Sequence, residues 1–600
     1  MRVHYPRTPH LPWSPGAAAD DIRTGDLSGL TGSEVVVTEK LDGENTTLYA
    51  DGLHARSLDS AHHPSRAWVK GLQSRIGPRI PAGWRVCGEN LFARHSIPYT
   101  DLDSWFHGFS VWTDQDRCLD WDDTVRFLRR LGVPTPRVLW RGRYDERALR
   151  ALRLDLNRQE GYVVRTVRGF PRAEFGGRIA KWVRPQHVRT DTHWMHAAVV
   201  ENGLGPNAAL WDVRSGQLPE LPLLAESLGI PELHCAADEL ADVSARLDEL
   251  GRTGDARLAG VLATALRTTT RRDRAVSQLS PRPAAPQLAP RLADRLGLPL
   301  ARRVADLVGL HSGLQQPYPD EERRAGLVRL AAAADLGVLH AVAAAAAPGP
   351  AEREQVAWSA LHAEDAGLLD ADPLAWLRTG LREALADLAP DAPDAPDAPD
   401  AADAADRCWA QAREAYALGR ISTVEEAVAA TWRWRDGRFP RLVHLSGPSG
   451  SGKSTFAAAL PGVPTRISLD DLRAVFGSRA DQRHNPEVLR TGLARLDAAL
   501  ADPAATVVWD ATSLNREQRS HVHGIARRRD ALVTQVVLLV GEQELLRRNA
   551  VRPHPVPSEV LTAQLHRFSP PHPGQAHRTW YVGPGGTVED TAGSLDSEEY

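Results

Sequence analysis

Lysine is rare in this chain, and most of its lysines lie in chemically suggestive surroundings. Only four of the 72 basic residues are lysines, namely Lys40, Lys70, Lys181 and Lys453. Arginine cannot replace lysine where a reaction needs a neutral amine, because its guanidinium group does not deprotonate in proteins. Lys70 lies outside any glycine or carboxylate signature and is predicted to be a surface residue. The other three lie in motifs and are candidates for catalysis.

The segment Gly447–Ser454 has the spacing of a phosphate-binding loop. Its sequence, GPSGSGKS, matches GxxxxGK[ST] between a predicted strand, Arg441–Gly447, and a predicted helical run, Thr455–Leu460. The glycines let backbone N–H groups surround phosphates, while Lys453 would reach the β- and γ-phosphates and Ser454 would hold Mg²⁺. The alternative is a glycine-rich turn. The predicted nucleotide-binding residues of this loop are Gly447, Gly450, Gly452, Lys453, Ser454 and Thr455.

Charged residues beyond the loop indicate an acceptor site. Asp470 follows the next predicted strand and could take a proton from an attacking hydroxyl, and Arg473 could hold an acceptor phosphate. Asp510 ends the strand after that. Arg548 and Arg552 are four residues apart, which predicts that they share one helix face and close over a γ-phosphate. The alternatives are a helix cap for Asp470 and an exposed pair for the two arginines.

Residues 441 to 557 resemble the 5′-polynucleotide kinase family of the bacteriophage type. The likeness lies in GPSGSGKST, DDLR, the strand-end aspartate and LRRNAVR. It implies NTP-dependent phosphorylation of a 5′-hydroxyl end, and no accompanying phosphatase domain is evident after residue 557. The implied roles are general base for Asp470, acceptor or RNA contact for Arg473 and Asp510, and a phosphate lid for Arg548 and Arg552.

A second candidate nucleophile lies near the start of the chain. The heptad Glu39–Asn45, EKLDGEN, places Lys40 where a predicted strand, Glu34–Thr38, gives way to a glycine turn. A lysine there can attack an α-phosphate if desolvation or nearby cations lower its pKa. The heptad alone equally fits a surface lysine. Four later motifs favour a catalytic lysine over a surface lysine, because they add carboxylates, an aromatic face that could stack on a base, and cations for phosphate. They are CGENL at 87–91, FHGFSVW at 106–112, EGYVVR at 160–165 and AKWVR at 180–184.

In this order, the motifs between about residues 30 and 196 resemble those of the covalent nucleotidyltransferase superfamily, and they look most like RNA ligase 2-type and related bacterial RNA ligases. The resemblance implies that Lys40 forms lysyl-AMP from ATP and releases pyrophosphate. The chain departs from the phage pattern at Trp182 and Arg184, where a second lysine is expected. The other implied roles are ribose contact for Glu89, adenine contact for Phe109, metal binding for Glu160, α-phosphate contact for Lys181, nucleotide binding for Glu39, Asp42, Gly43 and Arg56, and RNA binding for Asn45, Arg56 and Arg184.

The elements that must position these residues indicate a multidomain protein. Residues 1–204 are predicted to form an α+β nucleotidyltransferase domain of the ATP-grasp-like ligase type, and residues 406–600 an α/β P-loop kinase domain. Residues 205–388 have helical periodicity and predict an all-α domain, whereas the Ala-Pro-Asp repeats predict an extended linker at 389–405.

The central domain has three interpretations: a degenerate HD-like enzyme, an RNA-binding platform or a spacer. The first is disfavoured because the chain contains no His-Asp dipeptide. Its arginines could follow RNA phosphates or form a solvated face. They are Arg267, Arg271, Arg272, Arg274, Arg282, Arg291, Arg295, Arg302 and Arg303.

Composition limits the class of protein. A net charge of −4 over 600 residues excludes a generally basic nucleic-acid coat. No apolar run approaches the roughly 20 residues that cross a bilayer, and the first residues lack the apolar core of a signal peptide. The four cysteines are scattered, so neither a disulfide framework nor a Cys-rich zinc site is expected. We therefore expect a cytoplasmic protein without membrane contact.

Together the two motif sets predict a bifunctional RNA repair enzyme that uses ATP with Mg²⁺ or Mn²⁺. Its expected partners are RNAs with broken ends, carrying a 5′-hydroxyl or 5′-phosphate and a 3′-hydroxyl, and a separate enzyme that heals damaged 3′ ends. The alternatives are a DNA end-repair kinase and ligase, a nucleotidyl-capping enzyme, and a nucleotide-gated RNA-binding sensor. The sequence does not predict the oligomeric state.

Overall fold

The computed structural model divides the chain into two compact units, residues 1–261 and 262–600. The structure describes residues 2–19, 21–58, 62–185, 198–233, 235–276, 287–317, 320–387, 401–462, 465–475, 477, 483–552 and 555–597. Residues 389–400 of the predicted linker, residues 187–194 (HVRTDTHW) of the region that resembles RNA ligases, and Arg282 lie outside these ranges. The side chains of Arg271, Arg272 and Arg274 also lie outside the description.

The first unit combines two sheets with short helices, as predicted for an α+β domain. Its strands are β1 (Glu34–Lys40), β2 (Glu44–Tyr49), β3 (Gly52–Ala55), β4 (Arg85–Asn90), β5 (Phe106–Trp112), β6 (Arg117–Cys118), β7 (Val138–Arg143), β8 (Gly161–Thr166), β9 (Phe170–Pro171) and β10 (Ile179–Val183). Its helices are α1 (Ala67–Ile76), α2 (Trp121–Leu131), α3 (Glu146–Arg150), α4 (Phe175–Arg178), α5 (Ala208–Arg214), α6 (Leu221–Leu228) and α7 (Ala237–Glu249), and α8 (Gly254–Val276) runs past its end.

The two sheets of the first unit place the predicted motifs near one another. One has the order β10-β8-β1-β7 and the other β3-β2-β4-β5-β6-β9. In the first sheet Lys40 lies opposite Gly161, and in the second Asn45 lies opposite Glu89. Continuous apolar runs form these strands because both faces are covered: Val35 and Val37 pack into one cluster, whereas Val36 packs with Trp121.

The second unit begins with helices and ends in a P-loop domain. Its helices are α9 (Leu288–Leu296), α10 (Leu298–Leu310), α11 (Asp320–Ala331), α12 (Leu336–Ala345), α13 (Pro350–Asp365), α14 (Ala375–Asp387), α15 (Ala401–Ala417), α16 (Val424–Ala430), α17 (Lys453–Ala459), α18 (Leu469–Val475), α19 (Asn485–Ala499), α20 (Arg516–Arg528), α21 (Glu542–Ala550) and α22 (Ser558–Arg567). Its strands are β11 (Arg441–Ser446), β12 (Thr465–Ser468), β13 (Thr506–Asp510), β14 (Leu532–Leu538), β15 (Arg578–Val582) and β16 (Val588–Ala592).

The P-loop domain is the predicted α/β layer structure. The sheet order is β12-β13-β11-β14-β15-β16, parallel except for the pairing of β16 with β15. Successive residues of β11 face opposite helical layers, since Leu442 packs with residues of α19 and α20 whereas Val443 packs with Ala457 of α17. The strand after the P-loop strand lies two positions away in the sheet, which is the crossover that α/β domains require.

The central region is helical, as predicted, but two of its arginines are structural. Arg267 is buried and donates from Nη1 to the carbonyl of Ala346 at 3.1 Å. Arg302 is buried between Asp306 and Asp590, at 2.7 Å and 2.6 Å. These two side chains therefore do not follow RNA phosphates. The linker prediction is also too long, because α15 begins at Ala401.

No single helix in the described ranges is both long and apolar enough to cross a membrane. One bent pair of helical segments, Arg323–Ala331 and Leu336–Ala345, meets that requirement jointly by length and composition alone, with a bend of 106°.

A half-buried histidine makes the stability of the second unit depend on pH. The Nδ1 atom of His577 accepts the Val533 N–H at 3.0 Å, so the ring must be neutral. Burial, helped by Arg407 and Arg413, holds the pKa of His577 well below its ordinary value. As pH falls, the unfolded chain takes up this proton first, near its ordinary pKa of about 6.5, so native stability is lost in acid.

We expect the free energy of unfolding to fall as pH is lowered from about 7 to about 5, and to fall less in His577→Asn than in the wild type, because the native state excludes a proton that the unfolded chain takes up. In His577→Asn the amide oxygen can still accept the Val533 N–H, but the residue no longer titrates. Urea unfolding of both proteins at the two pH values measures the difference. His566→Asn, at an exposed position on α22, is the matched control. An identical pH dependence in the wild type and His577→Asn would contradict the assignment.

Candidate active sites

Lys40 ends β1 with its amine turned toward carboxylates. Its Nζ forms a short ion pair with Glu160, which immediately precedes the neighbouring strand β8. It also donates to the carbonyl of Leu41 at 3.3 Å. The lysine side chain is 22% exposed and the glutamate side chain 9%, so the pair is largely withdrawn from water. Lys40 is therefore not the surface lysine of the alternative interpretation.

The charges around Lys40 favour its protonated form. Burial opposes the positive charge, but the carboxylates of Glu160, Glu89 and Asp42 outweigh it, and the pKa of Lys40 is raised. Burial also raises the pKa of Glu89, to about 7. A protonated amine is not a nucleophile. Lys40 can react only after these carboxylates have gained other positive partners.

The turn after Lys40 is fixed by hydrogen bonds to the neighbouring sheet. The carboxylate of Asp42 accepts the backbone N–H groups of Ser96 and Ile97 at 2.8 and 2.9 Å. The Gly43 N–H donates to Glu89 at 3.2 Å. A Cβ at Gly43 would lie 2.5 Å from the carbonyl oxygen of Asn90, so only glycine fits. Asp42 and Gly43 therefore shape this turn, and the nucleotide binding expected of them stays a prediction.

An ion pair beneath this turn escaped the sequence analysis. Glu44 is buried and accepts two hydrogen bonds from Arg66, at 2.7 Å from Nε and 2.5 Å from Nη2. The two-pronged geometry fixes the start of β2 against the segment before α1. Glu44 lies in the EKLDGEN heptad, but Arg66 lies outside every motif and is 22 positions away. Nothing in the sequence pairs them.

Lys181 is the second cation of this site. It lies in β10, beyond β8, and burial together with the charge of Lys40 lowers its pKa. Phe109 is half-buried in β5, where its ring meets Tyr5 edge-on with centroids 5.2 Å apart. Glu39 is half-buried, and burial raises its pKa despite the nearby Arg137. Of these three residues, Lys181 is the one that lies within range of the Lys40 charge.

The residues predicted to bind RNA differ in accessibility. Asn45 is half-buried in β2, and Arg56 is exposed just after β3. Arg184, in contrast, is 2% exposed, and its guanidinium donates to the carbonyl of Leu156. The structure therefore gives Arg184 a structural contact, not the exposed position that RNA binding requires.

A divalent cation fits this site only with the help of a nucleotide. No cluster of three or more His, Cys, Asp or Glu side chains arranged for a metal occurs among the described residues. Glu160 and Glu89 nevertheless both act on the Lys40 amine. Mg²⁺ is commonly held by one or two carboxylates plus substrate phosphates. This donor set agrees with the metal role predicted for Glu160.

The P-loop has the geometry that its sequence predicts. Gly447, Gly450 and Gly452 have φ values of 158°, 84° and 99°, which glycine adopts readily. Lys453 begins α17 and is buried, and its amine donates to the carbonyls of Gly447 and Pro448 at 2.9 and 2.7 Å. Burial lowers the pKa of Lys453 to about 8, although Asp510 and Asp470 act in the opposite direction.

Asp510 lies next to Ser454 of the P-loop. It ends β13 next to β11, is 5% exposed, and accepts the Ser454 hydroxyl at 2.8 Å. Arg466 also binds it, at 3.0 Å from Nε. In P-loop enzymes a loop serine or threonine and an aspartate at the end of a neighbouring strand hold Mg²⁺. The placement thus favours metal binding by Ser454 and Asp510 over the RNA-contact role expected for Asp510.

Asp470 is open to an acceptor. It lies in the first turn of α18 and not at the end of a strand. The strand before it, β12, was predicted to run to Leu469 but ends at Ser468. Its side chain is 67% exposed and pairs with Arg473, which also donates to Asn485 at 2.9 Å. Thr455, in α17, is exposed. The predicted base and acceptor-binding arginine are therefore adjacent and reachable.

The arginine pair differs from its prediction. Arg548 lies on α21 and reaches the P-loop, with Nη1 3.5 Å from the carbonyl of Ser451. The helix ends at Ala550, so Arg552 lies beyond it and the two do not share one helix face. Arg552 still acts on Lys453 by charge and helps to lower its pKa. Both cations thus influence the nucleotide region from different elements.

Comparison with known proteins agrees with both predicted domain types. Residues 33–183 match the family model described as RNA ligase, and residues 442–571 match the model described as AAA domain. The chain joins an RNA ligase domain to a kinase-like P-loop domain. The predicted ligase resemblance and P-loop fold are confirmed at this level. No curated protein matches the chain.

Solved structures overlap the chain in part. A gluconokinase from Sinorhizobium meliloti is 24% identical, over 24% of this chain and 83% of its own, with a TM-score of 0.19. The Pnkp1/Rnl/Hen1 RNA repair complex is 21% identical, over 23% and 49%, with a TM-score of 0.20. A Naegleria gruberi RNA ligase variant with ATP and Mn is 16% identical, over 26% and 51%, with a TM-score of 0.21. The chain thus spans about half the length of the latter two chains.

The close approach at Gly43 gives a stability prediction. We expect Gly43→Ala to lower the free energy of unfolding by about 1–3 kcal/mol, because the new methyl group collides with the Asn90 carbonyl. Gly176→Ala is the matched control in the same unit, since nothing lies within 4 Å of a Cβ there. Urea unfolding followed by circular dichroism compares the two variants. Equal stability of both would show that the turn relaxes freely.

Proposed function

We propose that this chain heals and seals broken RNA ends. The observation that carries the proposal is the pairing of two complementary sites on one chain, a buried lysine amine among carboxylates and a P-loop next to an exposed aspartate. The first chemistry consumes a 5′-phosphate end and the second creates one. A chain with both sites can therefore take an end with a 5′-hydroxyl through to a phosphodiester bond.

In the kinase half, Asp470 acts as the general base. Its exposed carboxylate takes the proton of an RNA 5′-hydroxyl as that oxygen attacks the γ-phosphorus of ATP, and ADP leaves. Arg473 orients the carboxylate through their ion pair and lies near enough to bind an acceptor phosphate. Lys453 and Arg548 neutralise charge on the transferred group from the loop and from α21. The Ser454–Asp510 pair would hold Mg²⁺, which supplies further charge neutralisation to the phosphates.

In the ligase half, Lys40 is the nucleophile. Its neutral nitrogen attacks the α-phosphorus of ATP and pyrophosphate leaves, after which AMP passes to the RNA 5′-phosphate and the 3′-hydroxyl displaces it. Glu160 and Glu89 would bind Mg²⁺ or Mn²⁺, whose positive charge favours the neutral form of the amine. Lys181 offsets the charge that develops on the α-phosphate. Its lowered pKa follows from burial and from its like-charged neighbour.

The first experiment follows the fate of one phosphate. The purified protein receives γ-labelled ATP and RNA with 5′-hydroxyl and 3′-hydroxyl ends, followed by a phosphatase. Label that resists phosphatase has been transferred and then enclosed in a phosphodiester, as we expect. Label that stays sensitive would limit the activity to the kinase. An RNA without label would overturn the proposed acceptor, and a parallel DNA substrate distinguishes DNA repair from RNA repair.

A substitution in one site should abolish the activity of that site and leave the activity of the other intact. We expect Lys40→Ala to abolish lysyl-AMP and sealing, by more than about 1000-fold, while 5′-phosphorylation persists. Asp470→Ala should lower phosphorylation by about 100- to 10000-fold and leave lysyl-AMP formation intact. The readouts are covalent label from α-labelled ATP and transfer of γ-label to RNA.

Lys70→Ala, at an exposed position on α1, is the control for loss of a lysine and should retain both activities. Loss of both activities from either active-site change, in folded protein, would refute two independent sites. ATP binding without covalent AMP in the wild type would instead favour a nucleotide-gated RNA sensor.

A further inference from the structure

A segment that follows the ligase-family match contacts the loop that supports the Lys40–Gly43 turn. Residues 198–204 follow the matched region, which ends at residue 183, and they pair with the loop between β4 and β5. Glu201 forms a bridge with Ala93, and Leu204 forms one with Leu102. The Arg94 N–H donates to the carbonyl of Val200 at 2.8 Å. This segment is therefore built into the first unit.

Asn202 is the centre of that contact. It is 3% exposed and uses both ends of its amide: Oδ1 accepts the Tyr99 N–H at 3.0 Å, and Nδ2 donates to the Leu91 carbonyl at 2.8 Å. Its own backbone is also engaged. The carbonyl accepts the indole N–H of Trp105 at 2.8 Å, and the N–H donates to the carbonyl of Phe92 at 3.0 Å. The Asn202 side chain thus bonds to the start and the middle of the loop, and its backbone carbonyl bonds to the end of the loop.

Tyr99 connects this loop to the turn after Lys40. Its hydroxyl accepts the backbone N–H of Asp42 at 2.9 Å, and the same loop supplies the two N–H groups that hold the Asp42 carboxylate. Leu41 packs into one cluster with Leu91, Ile97, Tyr99 and Leu102, against which Leu204 rests. The two residues that follow the nucleophile are therefore held by polar and apolar contacts that converge on one loop.

We propose that Asn202 and Tyr99 are positioning residues for Lys40. They hold the Lys40–Gly43 turn so that the amine faces the α-phosphate, and neither residue touches the reacting atoms. The inference rests on the proposed ligase function and extends it to a segment outside the ligase-family match. Displacement of a reacting group by about 1 Å can cost on the order of 100-fold in rate, which is the scale on which such support acts.

The test separates two steps of ligation in the full-length protein. Lysyl-AMP formation from α-labelled ATP needs Lys40 as the nucleophile, whereas sealing of RNA that already carries a 5′-adenylate does not. We expect Asn202→Ala and Tyr99→Phe to slow lysyl-AMP formation by roughly 10- to 100-fold. Sealing of the pre-adenylated RNA should change by less than about 3-fold. A general structural defect would lower both steps together.

Tyr144→Phe is the matched control, because its hydroxyl is buried in the same unit without a hydrogen-bond partner among the described residues. It should leave both steps at wild-type rates. Tyr99→Phe keeps the ring that packs on Leu41, so it remains informative if Asn202→Ala does not fold.

Equal losses in both steps, or wild-type rates in both variants, would overturn the positioning role while leaving the ligase assignment intact. A wild-type protein that forms no lysyl-AMP would instead overturn the proposed function, and this inference with it.

Discussion

A charged amine withdrawn from water must find partners, and the partners decide its chemistry. Lys40 and Lys453 are both withdrawn from solvent, yet their pKa values move in opposite directions. Carboxylates surround Lys40 and raise its pKa, whereas the amine of Lys453 bonds to two neutral carbonyls and its pKa falls to about 8. The first lysine must be released from its partners to act as a nucleophile. The second acts as a cation, for which the phosphates of a nucleotide are the missing counter-charge.

Both sites depend on where strands end. Lys40 closes β1 next to the start of β8, and Lys453 follows β11 by way of the glycine loop. The supporting structures differ because the ligase-type site uses two antiparallel sheets and the turn that connects them, while the P-loop uses parallel strands and the N-terminus of α17. Backbone groups thus do most of the positioning in both halves, and a few cations and carboxylates supply the charge.

The sequence predicts what is local and misses what is distant. The strand predicted at 34–38, which the structure extends to Lys40, the glycine loop and the lysines within motifs follow from runs and spacings that span a few residues. The Arg66–Glu44 pair and the Asn202–Tyr99 contact join positions 22 and 103 residues apart, and no single-chain pattern links them. The resemblance to RNA ligases implied RNA binding by Arg184, but the burial of this side chain depends on its contact with the distant carbonyl of Leu156. The end of α21 at Ala550 removed Arg552 from the helix face that a spacing of four residues predicted.

The distribution of lysines has a practical consequence. All four lie in the described ranges, and only Lys70, on α1, is exposed, while Lys40 and Lys181 are half-buried and Lys453 is buried. An amine-directed reagent at low dose therefore meets essentially one accessible side chain besides the N-terminus. Because lysine is so scarce, acylation of Lys40, Lys181 or Lys453 would report directly that one of the two nucleotide sites has become more accessible.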